Sequence, residues 1–209
     1  MSLRMLMLSS RQPSRTVWRP ALYAALVSCA LVFSACSHQA EQRAAMLPED
    51  VSVIDHYGKP FSLASLKGKV VLLDFVHIGC PGVCTNLTSK FGQVADRLGQ
   101  DLGSKVILLT VTNDPEHDGP QQLLTLAQSS DADLNGWIFA TGKPENIDRV
   151  IRAFGLKNER LPDGSPNHIT QVFLVGPDGR ALREYQGMVM NSQEVVSHIR
   201  EALAQGSAS

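Results

Sequence analysis

Cys80 and Cys84 are the residues of this sequence whose spacing points most directly to chemistry. They follow an apolar run that ends at Val76 and precede an amphipathic segment. Residues four positions apart at the start of a helix lie on one face, one turn from each other. The two thiols could therefore bind one metal ion or close into a disulfide, and the spacing leaves both alternatives open.

A helix is expected to begin at this motif, with Cys80 at or just before its N-terminus and Pro81 in its first turn. The positive end of a helix favours the thiolate form of a cysteine. A permanent disulfide that closes so small a loop would stabilise the fold little. A thioredoxin-type redox motif has two residues between its cysteines, whereas this motif has three. The wider spacing favours chelation over redox chemistry.

The first 36 residues are typical of an export signal. A basic region without acidic residues runs from Arg4 to Arg19, and an uncharged apolar run follows at 21–35. That run is shorter than a helix that spans a bilayer, which needs about 20 residues. Small residues before Cys36 resemble a bacterial lipoprotein cleavage box, so we expect lipidation at Cys36, with Cys29 as the alternative. An uncleaved anchor would give the same extracytoplasmic, periplasmic location, where thiols are exposed to oxidation.

The bulk composition indicates one ordinary domain behind this leader. The chain has 209 residues, a formal net charge of −1 and 44% hydrophobic residues, enough to bury a core. A near-neutral charge gives no electrostatic reason to bind nucleic acid. We expect a signal peptide at 1–36, a polar tether at 37–47, the domain at 48–205 and a short tail at 206–209.

Hydrophobic periodicity predicts alternating strands and helices along the domain. The predicted strands are 51–55, 61–63, 69–76, 106–112, 137–140, 172–175 and 181–185, and the predicted helices carry apolar residues at 87–98, 123–127, 147–154 and 195–203. This order implies an α/β fold with a mixed central sheet and helices on both faces. It resembles a thioredoxin-like fold, with the cysteines at the carboxyl end of a central strand, where active sites gather.

Two thiolates leave a metal ion under-coordinated, and the six histidines are the candidates for a third ligand. His77 is close to Cys80 in sequence and is expected to be a partly buried polar residue that points away from it. His168 precedes the strand 172–175, whose start lies beside the cysteine loop in a thioredoxin-like sheet. We therefore predict that Cys80, Cys84 and His168 are the ligands. The remaining histidines lie in the tether, a turn, a polar loop and a helix: His38, His56, His117 and His198.

Two soft thiolates and one imidazole suit Cu(I) in trigonal geometry. Structural zinc normally requires four protein ligands, although zinc could add a water molecule. The donor set therefore favours copper.

Three stretches in this order resemble the Sco/SenC family: FVHIGCPGVC at 75–84, DPEHDGP at 114–120 and HITQVFLV at 168–175. The likeness covers roughly residues 48–204. It implies a membrane-tethered, thioredoxin-like copper chaperone for the dinuclear copper centre of cytochrome c oxidase, with copper bound by Cys80, Cys84 and His168. It also implies that Asp114 shapes the rim of the site, although turn and helix-capping chemistry would explain Asp114 equally well. The sequence departs from the family at Thr85, often proline, and at Gly82, often acidic, and neither change removes a ligand.

The alternative function is a thiol–disulfide reductase that acts on the cysteines of a copper acceptor through Cys80 and Cys84, with or without copper binding. Thioredoxin-like reductases place a proline immediately before the strand 172–175, where this chain has Thr170, and this favours a metal site. The partner implied is the copper-bearing oxidase subunit or another extracytoplasmic copper protein. A peroxidase is disfavoured, because Leu73 and His77 stand where peroxiredoxins carry proline and threonine.

Overall fold

Seven strands and four helices make up the part of the chain that the computed structural model describes, residues 45–79 and 82–206. The strands are β1 (Ser52–Asp55), β2 (Pro60–Ser62), β3 (Val70–Val76), β4 (Val106–Thr112), β5 (Trp137–Thr141), β6 (Gln171–Val175) and β7 (Ala181–Gln186). The helices are α1 (Val83–Leu98), α2 (Pro120–Ser129), α3 (Pro144–Ala153) and α4 (Ser192–Gly206).

All seven strands belong to one mixed sheet, in the order β2-β1-β5-β4-β3-β6-β7. The three central strands β5, β4 and β3 are parallel, and β6 adds to β3 in the antiparallel direction. Strands β3 and β4 are buried at every position, as expected for parallel strands that are covered on both faces. The predicted mixed sheet is confirmed.

Helices cover both faces of this sheet, also as predicted. Helices α1, α2 and α4 pack on one face around Trp137, Phe91 and Leu72. Helix α3 packs on the other face around Phe75 and Phe173. Side chains of β3 alternate between these two cores, because successive residues of a strand point to opposite faces.

Helix α1 begins at Val83, two residues after the proline that the sequence places in its first turn. Gly82 caps the helix with a φ of 95°, which lies outside the right-handed helical region and is available to glycine without strain. The carbonyl of Gly82 accepts the first helical hydrogen bond, from the Asn86 N–H at 3.0 Å. The helix therefore starts later than predicted, and Cys84 lies within its first turn.

The N-terminal edge of the described chain already contacts the sheet. The Leu47 N–H donates to the carbonyl of Gly179 at 2.9 Å, Leu47 is buried, and Met46 pairs with Arg180. Contacts with the domain thus begin before Pro48. The predicted signal peptide, with Cys36 and Cys29, and the greater part of the tether lie outside the described residues. Among the helices that are described, none is long and apolar enough to cross a membrane.

Candidate metal centre

Three chain segments that carry predicted site residues meet at one edge of the sheet. Parallel strands β3 and β4 end there, so the cysteine motif and the loop at 113–119 emerge side by side. Strand β6 pairs with β3 in the antiparallel direction, with Val71 opposite Val175 and Leu73 opposite Phe173. The start of β6, and hence His168, is brought to the same edge.

Cys84 lies in the first turn of α1 and is buried, with 7% of its surface exposed. Its side chain packs with Val76, at the end of β3, and with Val83 and Leu126. Its backbone carbonyl accepts a hydrogen bond from the Thr88 hydroxyl at 2.8 Å. Cys80 and Pro81 lie outside the described residues.

His168 is exposed, and its ring stacks on that of His77. The ring centroids are 5.1 Å apart and the ring planes differ by 19°. His77 itself is buried, with 5% of its surface exposed. Burial lowers the pKa of His77, and the neighbouring charge of His168 lowers it further. Sequence reasoning missed this contact, because it treated His77 as a residue that points away from the site.

Asp118 is a buried carboxylate that ties the cysteine motif to the loop after β4. Its Oδ2 accepts hydrogen bonds from the Ile78 N–H at 3.1 Å and from the Thr112 hydroxyl at 2.7 Å. Burial raises the pKa of Asp118, although these two hydrogen bonds oppose the shift. Sequence reasoning missed Asp118 as well, and its place in the stretch DPEHDGP is the signal that could have found it.

Replacing Asp118 with alanine is expected to lower the free energy of unfolding by about 1–3 kcal/mol, because the Ile78 N–H and the Thr112 hydroxyl lose their acceptor. Urea denaturation of the two proteins measures the difference. Asp163→Ala is the matched control, since Asp163 also accepts two hydrogen bonds, both from Ser165, but is exposed. Equal losses of stability in the two variants would contradict this role for Asp118.

Asp114 combines turn chemistry with a cluster of charges at the edge of the site. Its carbonyl accepts the N–H groups of His117 and Asp118. Its carboxylate accepts a hydrogen bond from Arg160 at 2.9 Å and lies 3.0 Å from Nδ1 of His117. Burial alone would raise the pKa of Asp114, but these two partners outweigh it and hold the pKa below its ordinary value. The structure thus accounts for Asp114 by turn and ion-pair contacts, and its action on a metal remains a prediction.

Asparagine side chains hold the segment that leads to His168. The Asn113 side chain donates to the carbonyl of Asn167 at 2.9 Å, and Asn158 donates to the carbonyl of Asn113 at 3.0 Å. Asn167 in turn accepts from the Glu159 N–H at 3.0 Å and donates its own N–H to the Glu159 carbonyl. The loop before His168 is therefore held by defined hydrogen bonds to the end of β4.

Within residues 45–79 and 82–206, no three histidine, cysteine or acidic side chains lie close enough together to hold a metal ion. Cys84 and His168 nevertheless lie at the same edge, linked through Val76, which contacts Cys84, and its neighbour His77, which contacts His168. A thiol and an imidazole are soft or intermediate donors that suit copper. The donors present therefore fit copper, and Cys80 would complete the predicted set.

The other described histidines do not join this group. His56 is buried and its Nδ1 accepts the Phe139 N–H at 3.2 Å. His198 stacks on Tyr185 and lies 3.0 Å from its hydroxyl. His117 pairs with Asp114 and is exposed. That these histidines are not ligands stays a prediction from the sequence.

A family model described as SCO1/SenC matches residues 39–204 of the chain. The SCO1 protein homolog of Bacillus subtilis is 31% identical over 153 residues, which cover 69% of this chain and 77% of that protein. These matches confirm the family resemblance that the three sequence stretches indicate.

Two solved structures have the same fold. The copper-bound ScoI of Bradyrhizobium japonicum is 26% identical, with a TM-score of 0.64 over 73% of this chain and 96% of that chain. BsSco, a member of the Sco family of cytochrome c oxidase assembly proteins with an identified disulfide switch, is also 26% identical, with a TM-score of 0.65 over 76% of this chain and 95% of that chain. The predicted thioredoxin-like fold is confirmed.

Proposed function

The chain belongs to the SCO1/SenC family, and on this premise we propose that it is an extracytoplasmic copper chaperone. It binds copper through Cys80, Cys84 and His168. It delivers the ion to the dinuclear copper centre of cytochrome c oxidase, in the copper-bearing subunit, or to another extracytoplasmic copper protein.

The observation that carries this proposal is the position of His168. It lies far from the cysteine motif in sequence, yet its ring contacts His77, three residues before Cys80. Two thiolates and an imidazole at one edge of the sheet make a low-coordinate site of soft donors, which suits Cu(I). The copper bound to the related ScoI of Bradyrhizobium japonicum supports the same choice of metal.

The difference in exposure between the ligands indicates how the ion would leave. Cys84, in the first turn of α1, is buried, whereas His168 is exposed. An acceptor that approaches from solvent therefore reaches the imidazole before it reaches the Cys84 thiolate. Exchange of ligands would begin at His168 and reach Cys84 afterwards, so copper stays bound to Cys84 while the acceptor replaces the imidazole.

A second candidate function is the reduction of a disulfide in the acceptor, and the disulfide switch of the related BsSco favours it. One thiolate of the Cys80–Cys84 pair attacks the acceptor disulfide, and the other resolves the mixed disulfide. The acceptor gains two electrons and two protons and becomes a dithiol, while the pair becomes a disulfide. His168 has no part in this reaction, so the two functions can be separated.

We also propose that lipidated Cys36 begins the mature protein and holds the domain at the outer side of a membrane. The basic region, the apolar run at 21–35 and the small residues before Cys36 support this. Intact mass of the protein extracted from membranes should show a diacylglycerol group on Cys36. A mature N-terminus elsewhere without added lipid mass would overturn lipidation, but not export.

The delivery role can be tested in a strain that lacks this gene. Wild type should restore cytochrome c oxidase activity, whereas Cys80→Ser and His168→Ala should not, at equal levels of protein. His198→Ala is the matched control, because it removes a described histidine outside the site, and it should behave as wild type. Full activity with His168→Ala but not with Cys80→Ser would favour the reductase over the copper chaperone.

A further inference from the structure

The near-parallel stacking of the His77 ring on the His168 ring limits the role that His77 can have at a metal site. An imidazole binds a metal through a nitrogen lone pair that lies in the plane of its ring. Two rings that stack face to face with planes only 19° apart do not direct those lone pairs toward a common point. In this arrangement His77 is a support for the ring of His168 and not a second ligand beside it.

His77 is itself held firmly. It follows directly on β3, whose residues are all buried, and 5% of its own surface is exposed. The side chain of Asn113 lies beside it. The Asn113 N–H also donates to the carbonyl of Val76 at 2.8 Å, which fixes Asn113 against the end of β3.

His77 and Asn113 contact the His168 segment at two points. Asn113 donates to the carbonyl of Asn167 at 2.9 Å, which fixes the backbone immediately before His168. His77 contacts the ring of His168 itself. The backbone and the ring of an otherwise exposed histidine are thus both attached to the ends of β3 and β4.

We propose that His77 is a positioning residue for the copper ligand His168, and this proposal rests on the proposed copper site. By stacking on the exposed imidazole, His77 restricts its rotation before copper arrives. Less conformational entropy is then lost when the ligand binds the ion. Residues that orient a ligand typically change metal affinity by about 10–100-fold when they are replaced.

The test compares three variants of the full-length reduced protein by competition with a Cu(I) chelator. His77→Ala should weaken copper binding by about 10-fold or more, because the stacking ring is lost. His77→Phe keeps an aromatic ring and should stay within about 3-fold of wild type, since stacking needs a ring face and no nitrogen. His198→Ala removes a histidine that stacks on Tyr185 outside the site and should have no effect.

A spectroscopic readout separates positioning from ligation. Pulsed electron paramagnetic resonance of the Cu(II) form counts coordinated imidazoles, and we expect one in wild type and one in His77→Phe. Two imidazoles in wild type that fall to one in His77→Phe would overturn positioning in favour of ligation. Affinity losses as large in His77→Phe as in His77→Ala would overturn stacking as the cause.

His168→Ala, measured alongside, distinguishes failure of this inference from failure of the proposed function. If His168→Ala loses copper affinity while His77→Ala does not, the copper site stands and the role of His77 is wrong. If neither variant loses affinity, the proposed copper site itself is wrong. Circular dichroism and thermal melts should show that all variants remain folded under the conditions of the assay.

Discussion

His168→Ala is expected to lower the affinity of the protein for Cu(I) by about 100-fold or more and to leave the Cys80–Cys84 pair able to form a disulfide. The proposed copper site would lose one of its three ligands, and this should cost more than changes in residues that only orient a ligand. The thiols need no histidine to form a disulfide, and His168 lies in a different segment of the chain, just before β6.

Competition with a Cu(I) chelator measures the affinity, and thiol titration of the same sample before and after mild oxidation measures disulfide formation. His198→Ala is the control and should match wild type in both assays. Unchanged copper affinity in His168→Ala would show that His168 is a structural residue. Loss of disulfide formation together with loss of copper would instead indicate that the variant disturbs the cysteine motif.

Asp74→Asn is expected to raise the free energy of unfolding above pH 7 by as much as about 4 kcal/mol, at 1.36 kcal/mol for each unit of pKa shift. Asp74 lies in the middle of β3 with 1% of its surface exposed. Its Oδ1 accepts the Thr110 hydroxyl at 2.7 Å, and Thr110 in turn accepts from Nε1 of Trp137 at 2.9 Å. Its Oδ2 has no hydrogen-bond partner among the described residues. Burial raises the pKa of Asp74 to about 7.

The direction of this pH dependence follows from the different pKa values of Asp74 in the folded and unfolded chain. The carboxyl has its ordinary pKa of about 4 in the unfolded chain and is protonated at higher pH in the folded protein. The stability that this protonation contributes is therefore complete below pH about 4 and is lost as the pH rises through 7. Asparagine has the shape of the protonated acid and cannot ionise, so it keeps that stability at every pH.

Urea denaturation at acidic pH and again above neutral pH measures this effect. Asp74→Asn should differ little from wild type in acid and should be clearly more stable in base. Asp96→Asn replaces an exposed aspartate of α1 and should change stability little at either pH. If Asp74→Asn is no more stable than wild type in base, then ionisation of the buried Asp74 does not destabilise the fold and this prediction is wrong.

The sequence predicts the central sheet well because burial on both faces leaves a plain signal. The runs that form β3 and β4 consist almost entirely of apolar residues. The predicted strand at 106–112 agrees with β4. Element starts are less predictable where backbone conformation decides them. Proline is common in the first turn of a helix, but the positive φ of Gly82 places the start of α1 at Val83.

Contacts between distant segments of the site could not be predicted from the sequence. Strand alternation places His77 on the same face of the sheet as Phe75. That His168 stacks on it depends on the antiparallel register of β6 with β3, which no single segment encodes. The hydrogen bond from the Ile78 N–H to Asp118 likewise joins two loops that meet because β3 and β4 end together.

X-ray absorption of the Cu(I)-loaded full-length protein is the sharpest test of the proposed copper site. We expect one copper ion per chain with a low coordination number, two sulfur ligands from Cys80 and Cys84 and one imidazole nitrogen from His168. Cys80→Ser should lose one sulfur ligand and much of the bound copper. A first shell of nitrogen and oxygen alone, or equal copper retention in Cys80→Ser and wild type, would rule out this site.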